Sequence, residues 1–296
     1  MRRAIFTVIF AAAALSALPV PLSAQKQGQM FLSLTTPDGK PIDGLTAEDV
    51  MLMEDGMPCK ILKVETVTWP TKVHVLVDNG RYNTNPINPL QNGLKEFFSL
   101  IPDGVEMSLY ATAGSPRPIV KPTTDRQKLI DGIGLITPDN GSGMFFDALF
   151  EASERIDKDK TPSHNIIVIL ASDSGQMRAN DRDFQKLQMN VYNHGITSYV
   201  LMNSTGQGAG GQVDLGINLA KVSSGRYEPF NGPTRLATLL PEIGKTVAKS
   251  IALQKQQYRV TYERPAKASD KGGGISAQVR KDGIIHLSLR GNQVPD

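Results

Sequence analysis

The sequence predicts an α/β domain, built on a doubly wound and mainly parallel sheet, inserted between N- and C-terminal β segments that join into a small β-sandwich. Three observations carry this. Over residues 71–255, short apolar strands alternate with amphipathic helical patterns, an order that demands parallel strands joined by crossover helices. Two of those strands, 72–78 (KVHVLVD) and 165–173 (NIIVILASD), are apolar almost throughout, as strands covered on both faces are. Outside that stretch, at 25–70 and 256–296, alternating segments separated by turn residues return.

Taken in order, residues 1–24 read as an export signal. Arg2 and Arg3 form a basic start, 4–18 an apolar run, Pro19 and Pro21 its break, and Ala24 a small residue for cleavage before Gln25. The run is shorter than the roughly 20 residues a membrane-spanning helix needs, so no membrane span is expected after cleavage, and a periplasmic or secreted destination is. Strands are predicted at 30–36, 49–54 and 59–67, with turns at 37–40 and 55–56. The α/β stretch then runs strand 72–78, a helix carrying Leu90, Leu94, Phe97, Phe98 and Ile101 on one face, strand 105–112, a short strand at 118–121, and helices 125–136 and 144–157. Strand 165–173, helix 182–193, strand 195–202, helix 213–223, short strand 226–229 and helix 234–255 complete it. Strands at 257–263, 275–280 and 284–290 follow, the last two joined by a hairpin turn at 281–283. Three strands at each end are marginal alone, which is why the two ends are expected to fold together.

Composition removes several functions. With 40% hydrophobic and 21% charged residues the chain is a folded protein. Its 32 basic and 29 acidic side chains leave +3, or +1 without Arg2 and Arg3, so nothing electrostatic favours a nucleic-acid partner. The single cysteine, Cys59, excludes an intramolecular disulfide, a Cys-x-x-Cys pair and a multi-cysteine zinc site. The four histidines, His74, His164, His194 and His286, lack the spacing that puts two ligands on one helix face.

Ligands of open α/β sheets bind at the carboxyl ends of the strands. Two predicted strands end there in aspartate, Asp78 and Asp173, and two carboxylates at one edge need a cation or good hydrogen bonds. Strand–Asp78, a Gly/Ser loop before residues 144–152, and a second strand ending in Ala171-Ser172-Asp173-Ser174-Gly175 resemble a von Willebrand factor A (VWA) domain. The order of pieces along the whole mature chain, including 44–50, 54–58 and 257–262, is similar to the VWFA-related exported proteins of acidobacteria. That resemblance implies a module that binds a protein partner, with no enzymatic activity, through a metal-ion-dependent adhesion site: Asp-x-Ser-x-Ser in the first loop, Thr in the second, Asp in the third, around Mg²⁺ or another divalent cation. Here the first loop reads Asp78-Asn79-Gly80-Arg81-Tyr82, Gly143 stands in the threonine position, and Asp173 is kept. Asp78 and Asp173 are the surviving metal ligands of a degraded site; Asn79, Arg81, Ser142 and Ser174 complete the expected binding set. Arg81 is expected to bridge the two carboxylates with its forked guanidinium, in place of a cation.

Two rivals remain. Gly206 to Gly211 matches Gly-x-Gly-x-x-Gly between a strand and a helix, with Glu228 farther on, the pattern of an NAD-type oxidoreductase. The fingerprint normally sits at the first βα turn, and this is a late one, so a flexible glycine loop is expected instead. Ser142 and Ser174 lie in the proposed edge loops, but no histidine does, and a serine without a base is inert.

Overall fold

The computed structural model describes residues 26–36, 42–177, 179–208, 211–223, 225–254, 257–268, 274–280 and, by backbone alone, 285–287. The expected export signal, the turns at 37–40 and 281–283, and Ala209-Gly210 lie outside the described residues.

The chain opens with β1 (Gln27–Thr35), β2 (Val50–Glu54), the two-residue β3 (Met57–Pro58) and β4 (Lys60–Val67). The α/β domain follows: β5 (Thr71–Val77), α1 (Arg81–Thr84), α2 (Asn88–Leu100), β6 (Glu106–Ala111), β7 (Arg117–Thr123), α3 (Arg126–Ile133), α4 (Phe145–Lys158), β8 (His164–Ser172), α5 (Asp181–Asn193), β9 (Thr197–Asn203), α6 (Gly211–Val222), β10 (Arg226–Phe230) and α7 (Leu236–Gln254). It ends with β11 (Gln257–Glu263), β12 (Ile275–Val279) and β13 (Ile285–Leu287). Cys59, expected inside a strand, falls between β3 and β4 and is half-buried. Gly211, counted in the glycine loop, begins α6.

The central sheet has the order β7-β6-β5-β8-β9-β10. Counted within the domain that is 3-2-1-4-5-6, the doubly wound order whose winding reverses between β5 and β8. Every pair is parallel except β6–β7, so the edge strand β7 runs against the rest. Strand periodicity divides the core in two. Val73, Val75, Val77, Ile166, Val168, Leu170 and Leu201 point to the side of α2, α3 and α7. The intervening Leu76, Ile167, Ile169, Ala171, Val200 and Met202 point to α4, α5 and α6.

The chain ends interleave. β11 lies between β1 and β4 in an antiparallel sheet with β13 at its edge, and β12 joins β2 and β3 in a second sheet. Leu32, Leu34, Tyr258 and Val260 of the first sheet share one apolar cluster with Val50, Leu52 and Val279 of the second. Arg264 clamps the buried Glu54 from across the chain, its Nε 2.9 and 3.0 Å from the two carboxylate oxygens. No helix among the described residues is long and apolar enough to cross a membrane.

Candidate functional site

Asp78 follows β5 and Asp173 follows β8, so both stand at the carboxyl edge where the winding reverses. Asp78 is only 2% exposed. The Gly80 N–H donates to its Oδ1 (2.9 Å), and the hydroxyl of Ser172, the last residue of β8, donates to its Oδ2 (3.0 Å). Burial pushes the Asp78 carboxyl above the usual carboxylate range, and the nearby Asp139 charge adds to this; Gly80, Ser172 and the adjoining Asn83 amide pull the other way. Asn83 is itself fully buried, and its Oδ1 accepts from Asn203 Nδ2 (3.0 Å).

Opposite this carboxylate lies Gly143. A Cβ there would stand 2.3 Å from Asp78 Oδ2 and 2.5 Å from Cγ. The position in which the family resemblance asks for threonine therefore has no room for any side chain, because the Asp78 carboxylate fills it.

The Asp173 carboxylate turns the other way, to the loop after β9. It accepts from Thr205 N–H (2.9 Å), the Thr205 hydroxyl and Gly206 N–H (3.3 Å). Asp78 and Asp173 accept from separate donors, Gly80 and Ser172 for the first, Thr205 and Gly206 for the second, and the Arg81 guanidinium expected to bridge them bonds to Tyr82 instead. Among the described residues no three His, Cys, Asp or Glu side chains converge as metal ligands. The donor set argues the same way. N–H and O–H groups point at both oxygens of Asp78, and Gly80, Tyr82 and Gly143, at the positions where the resemblance asks for two serines and a threonine, offer no hydroxyl beside it. The residues present do not fit a divalent ion.

The other predicted residues serve other ends. Asn79 is buried and architectural: its Nδ2 donates to Thr137 O (2.8 Å) and its Oδ1 accepts from Ala113 N–H (3.2 Å), tying three edge loops. Ser142 receives Gly114 N–H on its backbone carbonyl (2.9 Å). Ser174 Oγ lies 3.3 Å from Ser172 Oγ. Arg81, expected between the carboxylates, is exposed and lies over the Tyr82 ring instead, 4.7 Å from its centroid, with Nη2 donating to the phenol oxygen (2.7 Å). That phenol donates onward to Gln207 Oε1 (2.5 Å), in the loop after β9. The cause is geometric: Asp78 sits beneath the loop and is already saturated, while the Tyr82 ring offers a π face and an oxygen at the surface.

Sequence reasoning missed Ser172, Asn83 and Asn203. Asn203 ends β9 and binds the first loop twice, through Tyr82 O (2.8 Å) and Asn83 Oδ1 (3.0 Å), while accepting from Gly232 N–H (3.0 Å). The one available signal was position: all three lie at or just beyond strand ends at the same edge.

The glycine loop is not the free element expected. Gly206 N–H is used by Asp173, and a Cβ on Gly208 would stand 2.5 Å from the Asp173 carbonyl oxygen. Among the described residues no imidazole serves the edge serines: His74 is bound inside the sheet to Ser108 and Asn165, and His194 to Asp157.

No family model matches the chain, and no curated protein does. Among solved structures it is similar to a von Willebrand factor type A protein from Catenulispora acidiphila, at 11% identity and a TM-score of 0.48, covering 92% of this chain and 74% of that one. It is also similar to the SpRpn10 VWA domain, at 12% identity and a TM-score of 0.45, over 58% of this chain and 93% of that one. A third is the vWF domain of the type V pili tip protein Mfa5 from Porphyromonas gingivalis, at 11% identity and a TM-score of 0.44, over 63% and 97%. These structural neighbours are von Willebrand factor type A domains.

Proposed function

We propose that the chain is an exported, non-enzymatic, VWA-type protein-binding module, acting in adhesion or complex assembly, that holds its partner on the loops after β5, β8 and β9 without a metal ion. One observation carries the reading. Above carboxylates held by loop donors, the exposed Arg81 and Gln207 and the half-buried Tyr82 between them form a chain that links the first loop to the loop after β9. Arginine and tyrosine are the residue types that dominate binding hot spots, and a pre-ordered pair loses little freedom on docking. Export rests on Arg2, Arg3, the apolar run 4–18 and Ala24. The oxidoreductase alternative gains no support, because the Gly206 N–H it needs for a pyrophosphate is occupied by Asp173.

The test is cross-linking and affinity capture of the tagged protein from its own cell envelope, with and without EDTA, beside Arg81→Glu and Tyr82→Ala. A partner retained in EDTA and lost in both variants is the expected result. Capture that needs Mg²⁺ and disappears in Asp78→Ala, or a partner indifferent to both loop variants, overturns it. The mature N-terminus, read by mass spectrometry, is expected at or near Gln25; an intact Met1 on the exported protein contradicts export by signal cleavage.

A further inference from the structure

Helices α4, α5 and α6 cover one face of the central sheet, and the outer surface of the last two is poor in charge. An outer helix face is ordinarily covered with charged side chains. Beyond the first turn of α5 the outward stripe is Gln185, Gln188, Met189 and Tyr192, spaced by three, one and three residues, all exposed and all uncharged. The exposed residues of α6 are Gly211, Asp214, Ile217, Asn218, Lys221 and Val222, with one acid and one base among them. A shallow groove lined by Gln188, Val191, Tyr192 and Val222 joins the two helices. Toward the amino edge of the sheet it runs into a cavity of about 740 Å³ at the seam with the terminal sheets, lined in part by His164, Gln254 and Gln257. Tyr192 is 73% exposed, and Met189, Val222 and Ile217 are 55%, 45% and 44% exposed. Few charges together with exposed Tyr and Met is the composition of an interface core, not of a solvated surface.

The two charges of α6 say what covers this face. Asp214 and Lys221 are seven residues apart, on the same side of the helix and about 10 Å from each other along its axis. They stand two turns apart instead of the one turn that an intrahelical pair needs, and among the described residues neither makes an ion pair. A two-fold axis crossing α6 at right angles beside Ile217 and Asn218, midway between the charges, lays the helix antiparallel on α6 of a second copy. Asp214 of each chain then faces Lys221 of the other, and the contact is made twice. Both α5 and α6 run from the carboxyl edge of the sheet to its amino edge, so the same rotation lays the uncharged stripe of α5 on the α5 of the copy.

A surface that is its own complement is what a two-fold homodimer requires. We propose that the α5–α6 face is a dimerisation surface whose partner is a second copy of this chain, registered by the two Asp214–Lys221 pairs. Antiparallel docking sends the loops after β5, β8 and β9 of the two copies in opposite directions, so the dimer presents them at its two ends. The pairing itself does not depend on what those loops hold.

The full mature protein is followed by sedimentation velocity over a concentration series reaching about 100 μM, because a contact between two helix faces belongs to the small, weak class of specific interfaces. A monomer–dimer equilibrium that salt weakens is expected. Lys221→Asp and Asp214→Lys each set like charges against one another at both ends of the contact, and each is expected to weaken the dimer about tenfold or more. An equimolar mixture of the two variants is expected to recover it, because a copy with two lysines on α6 meets a copy with two aspartates. That reciprocal recovery separates this pairing from self-association through any other surface. Both positions are exposed, and melting curves verify that each variant is folded. A protein that stays monomeric across the series overturns the proposal. So does a dimer that neither reversal weakens, or a mixture of the two variants that associates no better than each alone.

Discussion

At the carboxyl edge of the central sheet, Asp78, Asp173, Asn79 and Asn203 spend their polar atoms on one another's loops. At the amino edge, His164, Gln254 and Gln257 are equally buried and leave polar atoms unanswered. Strand-end logic directs attention to the first edge, and there the side chains expected as ligands hold the loops to one another. The lesson is that a residue type at an expected position does not fix its partners. The Asp78 carboxylate is held by one donor on each oxygen, while the Gln254 and Gln257 carbonyls are buried without a donor.

The deepest intervention is removal of residues 257–296. It takes β11 from between β1 and β4, strips Tyr258 and Val260 from the sandwich core and deletes the Gln257 wall of the lower cavity. Insoluble or unfolded protein is expected on expression; a soluble chain with an unchanged melting temperature contradicts a shared terminal core.

Gly143→Thr restores the family's residue at the upper edge and is expected to cost about 3 kcal/mol by overpacking against Asp78. Denaturant titration with and without Mg²⁺ checks this. A tolerated threonine that makes the protein more stable in Mg²⁺ shows that the edge is still a metal site.

Asp78 itself separates charge from hydrogen bonding. Asp78→Ala orphans the Gly80 N–H and the Ser172 hydroxyl and is expected to cost about 2–3 kcal/mol, whereas Asp78→Asn keeps an oxygen for one and costs less than about 1. Because its folded pKa is raised above 3.8, the wild type binds this proton more tightly when folded, so its contribution is complete below that value and is lost as pH rises through the folded pKa. Stability of wild type minus Asp78→Asn, followed by denaturation from pH 3 upward, is expected to fall with pH; a flat difference shows an unperturbed carboxylate.

The lower edge shows the opposite sign. The Lys72 ammonium holds the Asp159 carboxyl down to about 2, below its usual 3.8, so its contribution is present above 3.8 and is lost as pH falls toward 2. The pair is partly exposed, so Asp159→Asn is expected to remove less than about 1 kcal/mol at neutral pH, a difference that vanishes along the acid limb of the same denaturation series.

Smallest of all is Arg81→Ala. A guanidinium bridging two carboxylates would be worth about 1–3 kcal/mol, but an exposed one lying on a half-buried tyrosine is expected to contribute within about 0.5 kcal/mol. Melting temperature checks it, with EDTA as the parallel arm; a large loss returns Arg81 to the carboxylates.

Much of this molecule was legible in the chain because the signals are local. The continuous apolar run of residues 165–173 and the helical spacing of Leu90, Leu94, Phe97 and Phe98 are both read over a few consecutive residues, and the elements stand within a few residues of their expected bounds. The positions of Asp78 and Asp173 at strand ends follow from the same periods. Partners do not. Ser172 reaches Asp78 across 94 residues, Asn203 reaches Asn83 across 120, and Tyr82 reaches Gln207 across 125. Strand order is nonlocal too: that β11 is central and β7 antiparallel depends on which faces remain to be covered once the other strands have paired.

The sequence by itself determined the α/β domain, the terminal strands around it, and which residues the edge loops carry, Gly80, Tyr82 and Gly143 among them, since these are matters of periodicity and residue type. Tertiary structure alone decided that Asp78 is buried against Gly143, that Asp173 and Arg81 face away from it, and that His164, Gln254 and Gln257 gather around one cavity. The physical reason is that a side chain's role is set by the partners that close around it. Those partners are brought together by the winding of the sheet and by the packing of the terminal strands beneath it, from positions far apart in the chain.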